Sequence, residues 1–237
     1  MKNIVFLAGD GEYESDVTMR PLADLIAGFE DVHVEYRTPD VLEDWPDFPT
    51  SSFGDLSVLD DADLMVMYTR FRVLPDNETE AIAKFLANGG SIMALRTSSH
   101  AFHPIEGSKW FDWTSGFAKN VLGSAWSRHH GHASTTDVTA VTAHPILEGV
   151  PAAFHVDSWL YVSEPPADVT VLLWGVPIDP EVEATPSPVA WVRRLGDQCV
   201  FYTSLGGQTD LLRDEVLTLL TNAAKWCLQE SPARAKQ

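Results

Sequence analysis

Residues 4–9, IVFLAG, form a short and nearly unbroken run of apolar and β-branched residues that ends in glycine. A half-exposed strand alternates apolar and polar positions, so a continuous run predicts a strand covered on both faces. Two further runs of this kind follow at 62–69 (ADLMVMYT) and 91–97 (SIMALRT), with HVEYRT at 33–38 between them. The intervening segments have helical spacing. One covers 17–29, with Pro21 suited to a first turn, and another covers 77–90, closing on a glycine pair suited to a C-cap. Residues 40–59 carry Trp45, Pro46, Pro49 and Gly54 and are expected to form a loop with little regular structure.

Strand, helix, strand, loop, strand, helix, strand predicts a doubly wound, mainly parallel α/β sheet with helices on both faces. Further strands are expected at 136–142, 169–174, 188–194 and 198–204, after an irregular insertion at 101–135 with one short helix. A last helix at 211–228 presents Leu212, Val216, Leu219, Leu220, Ala223 and Trp226 on one face. No repeat, linker or composition break divides the 237 residues, so a single domain over 1–237 is expected, with 229–237 a frayed tail. At 45 % hydrophobic residues the core needs no metal or disulfide staple.

The formal charge of −18, from 34 acidic and 16 basic residues, repels phosphate backbones and anionic membranes, so neither nucleic acid nor a membrane is an expected partner. No run reaches the ~18 apolar residues of a membrane span, and the opening run meets Asp10 too soon for a secretory signal. Two cysteines, Cys199 and Cys227, form no disulfide framework. A cytoplasmic protein is the expectation, with its oligomeric state open and a homo-oligomer among the alternatives.

Ligands of open α/β sheets bind beyond the carboxyl ends of the strands. The loops expected there carry Asp10, Glu12, Tyr13 and Glu14; then Arg70 and Arg72; then Arg96, Thr97, Ser98 and His100. Seven of the eight histidines fall between His100 and His155, three of them in HHGH (His129, His130, His132). Imidazole serves both as acid–base group and as metal ligand, and such clustering in a glycine-bearing loop suits a site. The spacing matches no standard zinc signature. The turn after residue 95 invites comparison with a nucleophile elbow, but Thr97 and Ser98 lie in no GxSxG pattern; helix capping or ligand binding is the plainer reading. Trp110, Trp113, Trp126, Trp159 and Tyr161 flank the histidines, as a sugar cleft or a large core would require.

GDGEYESD, TRFR, RTSSHAF, HHGH, HPILEGV, LYV, PVAWVRR, VFYTSLGG and NAAKW occur in an order that resembles ThuA-like (trehalose utilisation) proteins from residue 2 to about 228. The resemblance implies a class I glutamine-amidotransferase-like, flavodoxin-like three-layer fold and a link to carbohydrate metabolism. Carried onto this chain, the motif positions are Asp10, Glu12, Tyr13, Arg70, Arg96, Thr97, His100, His129, His130, His132, His144 and Tyr161. Two positions depart from the pattern: Glu14 stands where it has arginine, and Gly207 where it has histidine in SLGH. The elbow aligns with Thr97 rather than the cysteine that glutaminase chemistry requires, so amidotransferase activity is not expected.

The leading expectation is an enzyme acting on a sugar or keto-sugar by proton transfer beside a carbonyl or by glycosidic cleavage. Its acid–base groups would be Glu12 and one of His100, His129 or His130. Arg96 and Arg70 would stabilise charge developing on a substrate oxygen, and Asp10, Tyr13, Thr97, Ser98, Trp126, Trp159 and Tyr161 would hold the ligand. No cofactor is firmly implied. One alternative is a metal-dependent hydrolase or isomerase with a divalent transition metal on His129, His130 and His132. The other is a non-catalytic carbohydrate-binding or regulatory protein.

Overall fold

The computed structural model describes residues 1–230; the last seven residues, most of the expected tail, lie outside it. Among the described residues the strands are β1 (Lys2–Gly9), β2 (Val32–Arg37), β3 (Leu64–Thr69), β4 (Ser91–Leu95), β5 (Thr135–Ala140), β6 (Ala153–Val156), β7 (Val169–Ile178), β8 (Ser187–Leu195) and β9 (Gln198–Thr203). The α-helices are α1 (Ser15–Thr18), α2 (Arg20–Ala27), α3 (Asp76–Ala87), α4 (Phe111–Phe117) and α5 (Asp214–Glu230). The strands make one sheet in the order β2-β1-β3-β4-β9-β8-β7-β5-β6. From β2 to β9 every pairing is parallel. From β9 to β6 every pairing is antiparallel.

The expected mixed α/β architecture is present, but the sheet is not mainly parallel: the two pairing modes divide it at β9. The continuous apolar runs were sound markers of the parallel half. Ile4 and Phe6 of β1 face one core and Val5 and Leu7 the other, all at most 1 % exposed. The first core holds α2 and α5, through residues such as Ile26 and Leu219. The second holds α3 and α4, through Phe85 and Phe117. Helices therefore cover both faces of the parallel half, with strand order 2-1-3-4 and a topological switch between β1 and β3.

Several boundaries move. The first helix breaks at Met19, and Pro21 sits at the start of α2. The last helix begins at Asp214 because Leu212, 68 % exposed, belongs to a preceding 3₁₀ turn. Residues 229–230, expected to be frayed, close α5. The insertion does hold one short helix, α4, which runs on into a π-helical turn at Ala118–Leu122. β6 was not anticipated.

Candidate functional site

Three loops leave the carboxyl ends of β1, β3 and β4, and each contains a non-glycine residue with left-handed backbone: Glu14 at φ 50°, Phe71 at φ 46° and Arg96 at φ 43°. L-residues enter this region at a cost, and such strain gathers where surrounding structure demands a special direction. Here it turns three chain segments toward a single cleft.

The cleft has a volume of about 540 Å³, within the range of small-molecule sites. Its charged and titratable lining consists of Glu12, Arg70, His100, His129 and His132. Its flat walls come from Trp45, Phe71, Trp126, Trp159 and Tyr161. Arg70 Nε lies 3.0 Å from Glu12 Oε2, and its Nη1 lies 2.8 Å from Asp44. Arg72, named with Arg70 from the TRFR motif, instead lies buried and donates to the carbonyls of Arg70, Val41 and Leu42 while pairing with Asp44. One arginine therefore serves the cleft and the other holds the 40–53 loop that forms its rim. Sequence alone gives Trp45 and Phe71 no place in the site; the available cue is a tryptophan in a proline-rich loop and the aromatic between two arginines.

The imidazoles divide in the same way. A bridge between His129 and Tyr161 gives this segment a strand-like course, in which consecutive side chains point to opposite sides. His129 enters the cleft, where its ring stacks on His132 at 4.8 Å, and His132 lies 4.6 Å from the Trp159 ring. His130 turns inward and is wholly buried. Its Nδ1 lies 2.9 Å from the Leu160 carbonyl, and its Nε2 accepts from Thr185 N–H at 3.0 Å. Both ring nitrogens are engaged, so His130 is neither an acid–base group nor a metal ligand here. Among the described residues no group of three His, Cys, Asp or Glu side chains is placed to share one ion. The expected trio does not fit a metal.

His100 packs between Phe71 and Trp126, with ring centroids 4.8 and 5.0 Å away. Burial, reinforced by Arg70, Arg96 and His129, lowers its pKa to about 3, so the ring is neutral at physiological pH. Burial and then His132 lower the pKa of His129 as well, against the pull of Glu12.

The remaining candidates lie beneath the cleft. Asp10, Thr97 and Ser98 are buried and do not line it. Thr97 Oγ1 donates to Asp10, which also accepts from Tyr13 N–H at 3.0 Å. Ser98 Oγ donates to the Met67 carbonyl at 2.9 Å. These three side chains join the ends of β1, β3 and β4 rather than hold a ligand. Burial raises the Asp10 pKa to about 6.

The strained elbow residue is Arg96, not Thr97. Its guanidinium, wholly buried, donates to the Ser204 carbonyl at 2.7 Å and the Tyr13 hydroxyl at 2.9 Å. It lies within 5 Å of the centres of the Tyr13, Trp159 and Tyr161 rings. Arg96 therefore positions the cleft's aromatic floor and does not line the main cleft itself. Tyr13 likewise faces a smaller neighbouring chamber instead of the main cleft. The expected positions His129, His100, Glu12, Arg70, Trp126, Trp159 and Tyr161 do meet in one cavity. His144 is remote: it caps a turn through Ile146 N–H and packs against Trp226.

Comparison with known proteins agrees with this architecture. A family model described as ThuA, trehalose utilisation, matches residues 26–227. A solved ThuA-like protein of Bacteroides uniformis superposes with a TM-score of 0.70 at 16 % identity, covering 100 % of this chain and 94 % of that one. A ThuA-like protein of Parabacteroides merdae gives 0.66 at 15 % identity, over 99 % and 92 %. A cytoplasmic protein of Salmonella typhimurium gives 0.57 at 12 % identity, over 95 % and 98 %. No curated protein sequence gives a significant match. No helix among the described residues is long and apolar enough to cross a membrane. The family match extends from α2 to the last helix, through β3, β4 and the histidine segment: the chain belongs to the ThuA (trehalose utilisation) family.

Proposed function

We propose that this chain is a cytoplasmic enzyme of carbohydrate utilisation that moves a proton on a sugar or keto-sugar. The observation that carries this reading is the cleft lining, where the Glu12–Arg70 pair and three imidazoles face a cavity walled by three indoles. Indole faces suit the apolar C–H faces of a pyranose, while the polar groups suit its hydroxyl rim. Glu12 takes the proton from a carbon next to a carbonyl, and Arg70 beside it stabilises the negative charge that develops on the substrate oxygen. His100 cannot donate as an imidazolium near neutral pH, because its proton is lost at about pH 3. It acts as a neutral hydrogen-bond partner, and His129 is the group for the second proton.

The test is solvent-deuterium exchange, followed by NMR, into a panel of keto-sugars. Exchange is expected with the native protein and should fall about 100-fold or more in Glu12→Gln. Exchange that survives this change at the native rate would remove Glu12 from the mechanism. A non-catalytic sugar-binding role is the second reading, favoured by Gly207, which supplies no imidazole at a position where the family pattern has one. Binding in calorimetry, with neither exchange nor turnover across the panel, would establish that reading instead.

A further inference from the structure

Beside the main cleft lies a second chamber of about 270 Å³, lined by Glu12, Tyr13, Arg96, Ser158, Trp159 and Gly207, with Asp157, Gln208 and Thr209 at its outer side. At ~30 Å³ per water molecule it holds about nine waters, too much space to be a packing defect. Glu12 and Trp159 line both cavities, so a ligand that occupies both must pass the carboxylate assigned to proton transfer.

We infer that this chamber is a second subsite, kept open by Gly207, that receives an uncharged, hydroxyl-bearing extension of the sugar. The inference rests on the sugar-directed reading of the main cleft and adds where the rest of the ligand goes.

The wall at Gly207 is fixed from behind. Its N–H donates to Ser158 Oγ at 2.9 Å, and Ser158 in turn donates to Asp210, a wholly buried carboxylate that also accepts from Asp157 N–H at 3.1 Å. A Cβ at position 207 would come within 2.7 Å of Ser158 Oγ. Ser158 is held by Asp210 and has little room to yield, so any side chain at 207 displaces the wall or fills the chamber. The two departures from the family pattern also meet here. Glu14 accepts from Gln208 Nε2 at 3.0 Å and thereby holds the residue that follows Gly207.

The lining also sets the charge of the ligand. Arg96 is the sole cation among the described residues that line the chamber, and it is enclosed by Tyr13, Trp159 and Tyr161. Against it stand the carboxylates of Glu12 and Asp157, with Glu14 behind Gln208. Glu12 is itself paired with Arg70 and Asp157 with Arg213, each at 3.0 Å, so the negative excess comes from Glu14 and the buried Asp210. Carboxylates welcome hydroxyl donors and repel phosphate, so the extension is a second hydroxylated unit without a phosphate group.

Calorimetric titration with methyl glucoside, maltose, cellobiose, trehalose and glucose 6-phosphate tests this. At least one two-ring sugar is expected to bind about tenfold or more tightly than methyl glucoside, and glucose 6-phosphate about tenfold more weakly. In Gly207→Ala and in Gln208→Trp, which fills the chamber from its exposed mouth, the two-ring to one-ring ratio should fall to within about twofold. Thermal melting shows whether Gly207→Ala folds; if it does not, Gln208→Trp decides the matter. One-ring sugars that bind as well as two-ring sugars would overturn the subsite while leaving the main cleft's reading intact. The same holds if the ratio is unchanged in the folded variants. Failure of every sugar to bind would overturn the subsite, while exchange into the keto-sugar panel decides the main cleft's reading separately.

Discussion

His100 shows how the cleft sets the chemistry of a single side chain. Its ring is free to protonate near pH 6.5 when the chain is unfolded, but only near pH 3 in the fold. Between those values the unfolded chain binds the extra proton. The stability tied to this ring is therefore complete above pH 6.5 and is lost toward pH 3, by at most about 1.4 kcal/mol per pH unit. Asp10 runs the other way. Its pKa rises from 3.8 to about 6, so its protonated form stabilises the fold below 3.8, and that contribution is lost as pH rises through 6. His100→Gln should flatten the acid limb of urea midpoint against pH; an unchanged slope between pH 3 and 6.5 would show that the buried ring is not its source. None of this environment was legible in RTSSHAF, because the sequence names an imidazole without naming the indole, phenyl and guanidinium groups around it. The same is true of HHGH, where residue type cannot tell His129 from His130; only the strand-like course of the backbone turns one into the cleft and the other into the core.

At the scale of elements, the 40–53 loop lacks regular structure yet is firmly held. Asp44, with a side chain 6 % exposed, lies between Arg70 and Arg72, and the Arg72 side chain is 1 % exposed. Removing one partner of such a buried pair costs about 3–5 kcal/mol. Asp44→Asn is therefore expected to lower the urea midpoint and to open the loop to protease cleavage beside Trp45. An unaltered midpoint with an unaltered cleavage pattern would mean that the arginine–carbonyl bonds suffice. The sequence announced a loop here but not its anchors, since ion pairs across 26 residues leave no local pattern. Elements buried on both faces were the readable ones: β1, β3 and β4 carry unbroken apolar runs. β6 was not, because it pairs on one side with β5 and mixes exposed Ala153 and His155 with buried Val156. A mainly parallel sheet carries the pattern of those early strands beyond β9, where the pairing turns antiparallel. The direction of a strand depends on its connection, and β7, β8 and β9 follow one another through returns too short for a crossover.

For the whole molecule, a formal charge of −18 means that folding gathers like charges. Such self-repulsion weakens a compact state and is screened as the Debye length falls from ~30 Å at ~0.01 M salt to ~8 Å at ~0.15 M. Sodium chloride added over that range should raise the urea midpoint. A falling midpoint would instead show that surface pairs such as Lys84–Asp60 and Arg194–Glu230 outweigh the net repulsion.

The occupant of the elbow also bears on how such a molecule can change. A permanently charged arginine occupies the backbone's strained turn, tied to three aromatic rings and the Ser204 carbonyl. Placing a nucleophile at position 96 would remove the guanidinium that supports the cleft floor, so a single exchange there cannot add covalent chemistry without disturbing the site. Trp45, Phe71, His129 and His132, in contrast, line the cleft from surrounding loops and are not among the groups that hold the Arg96 guanidinium on which the floor depends. Support of the cleft floor and contact with a ligand are thereby assigned to different parts of the chain.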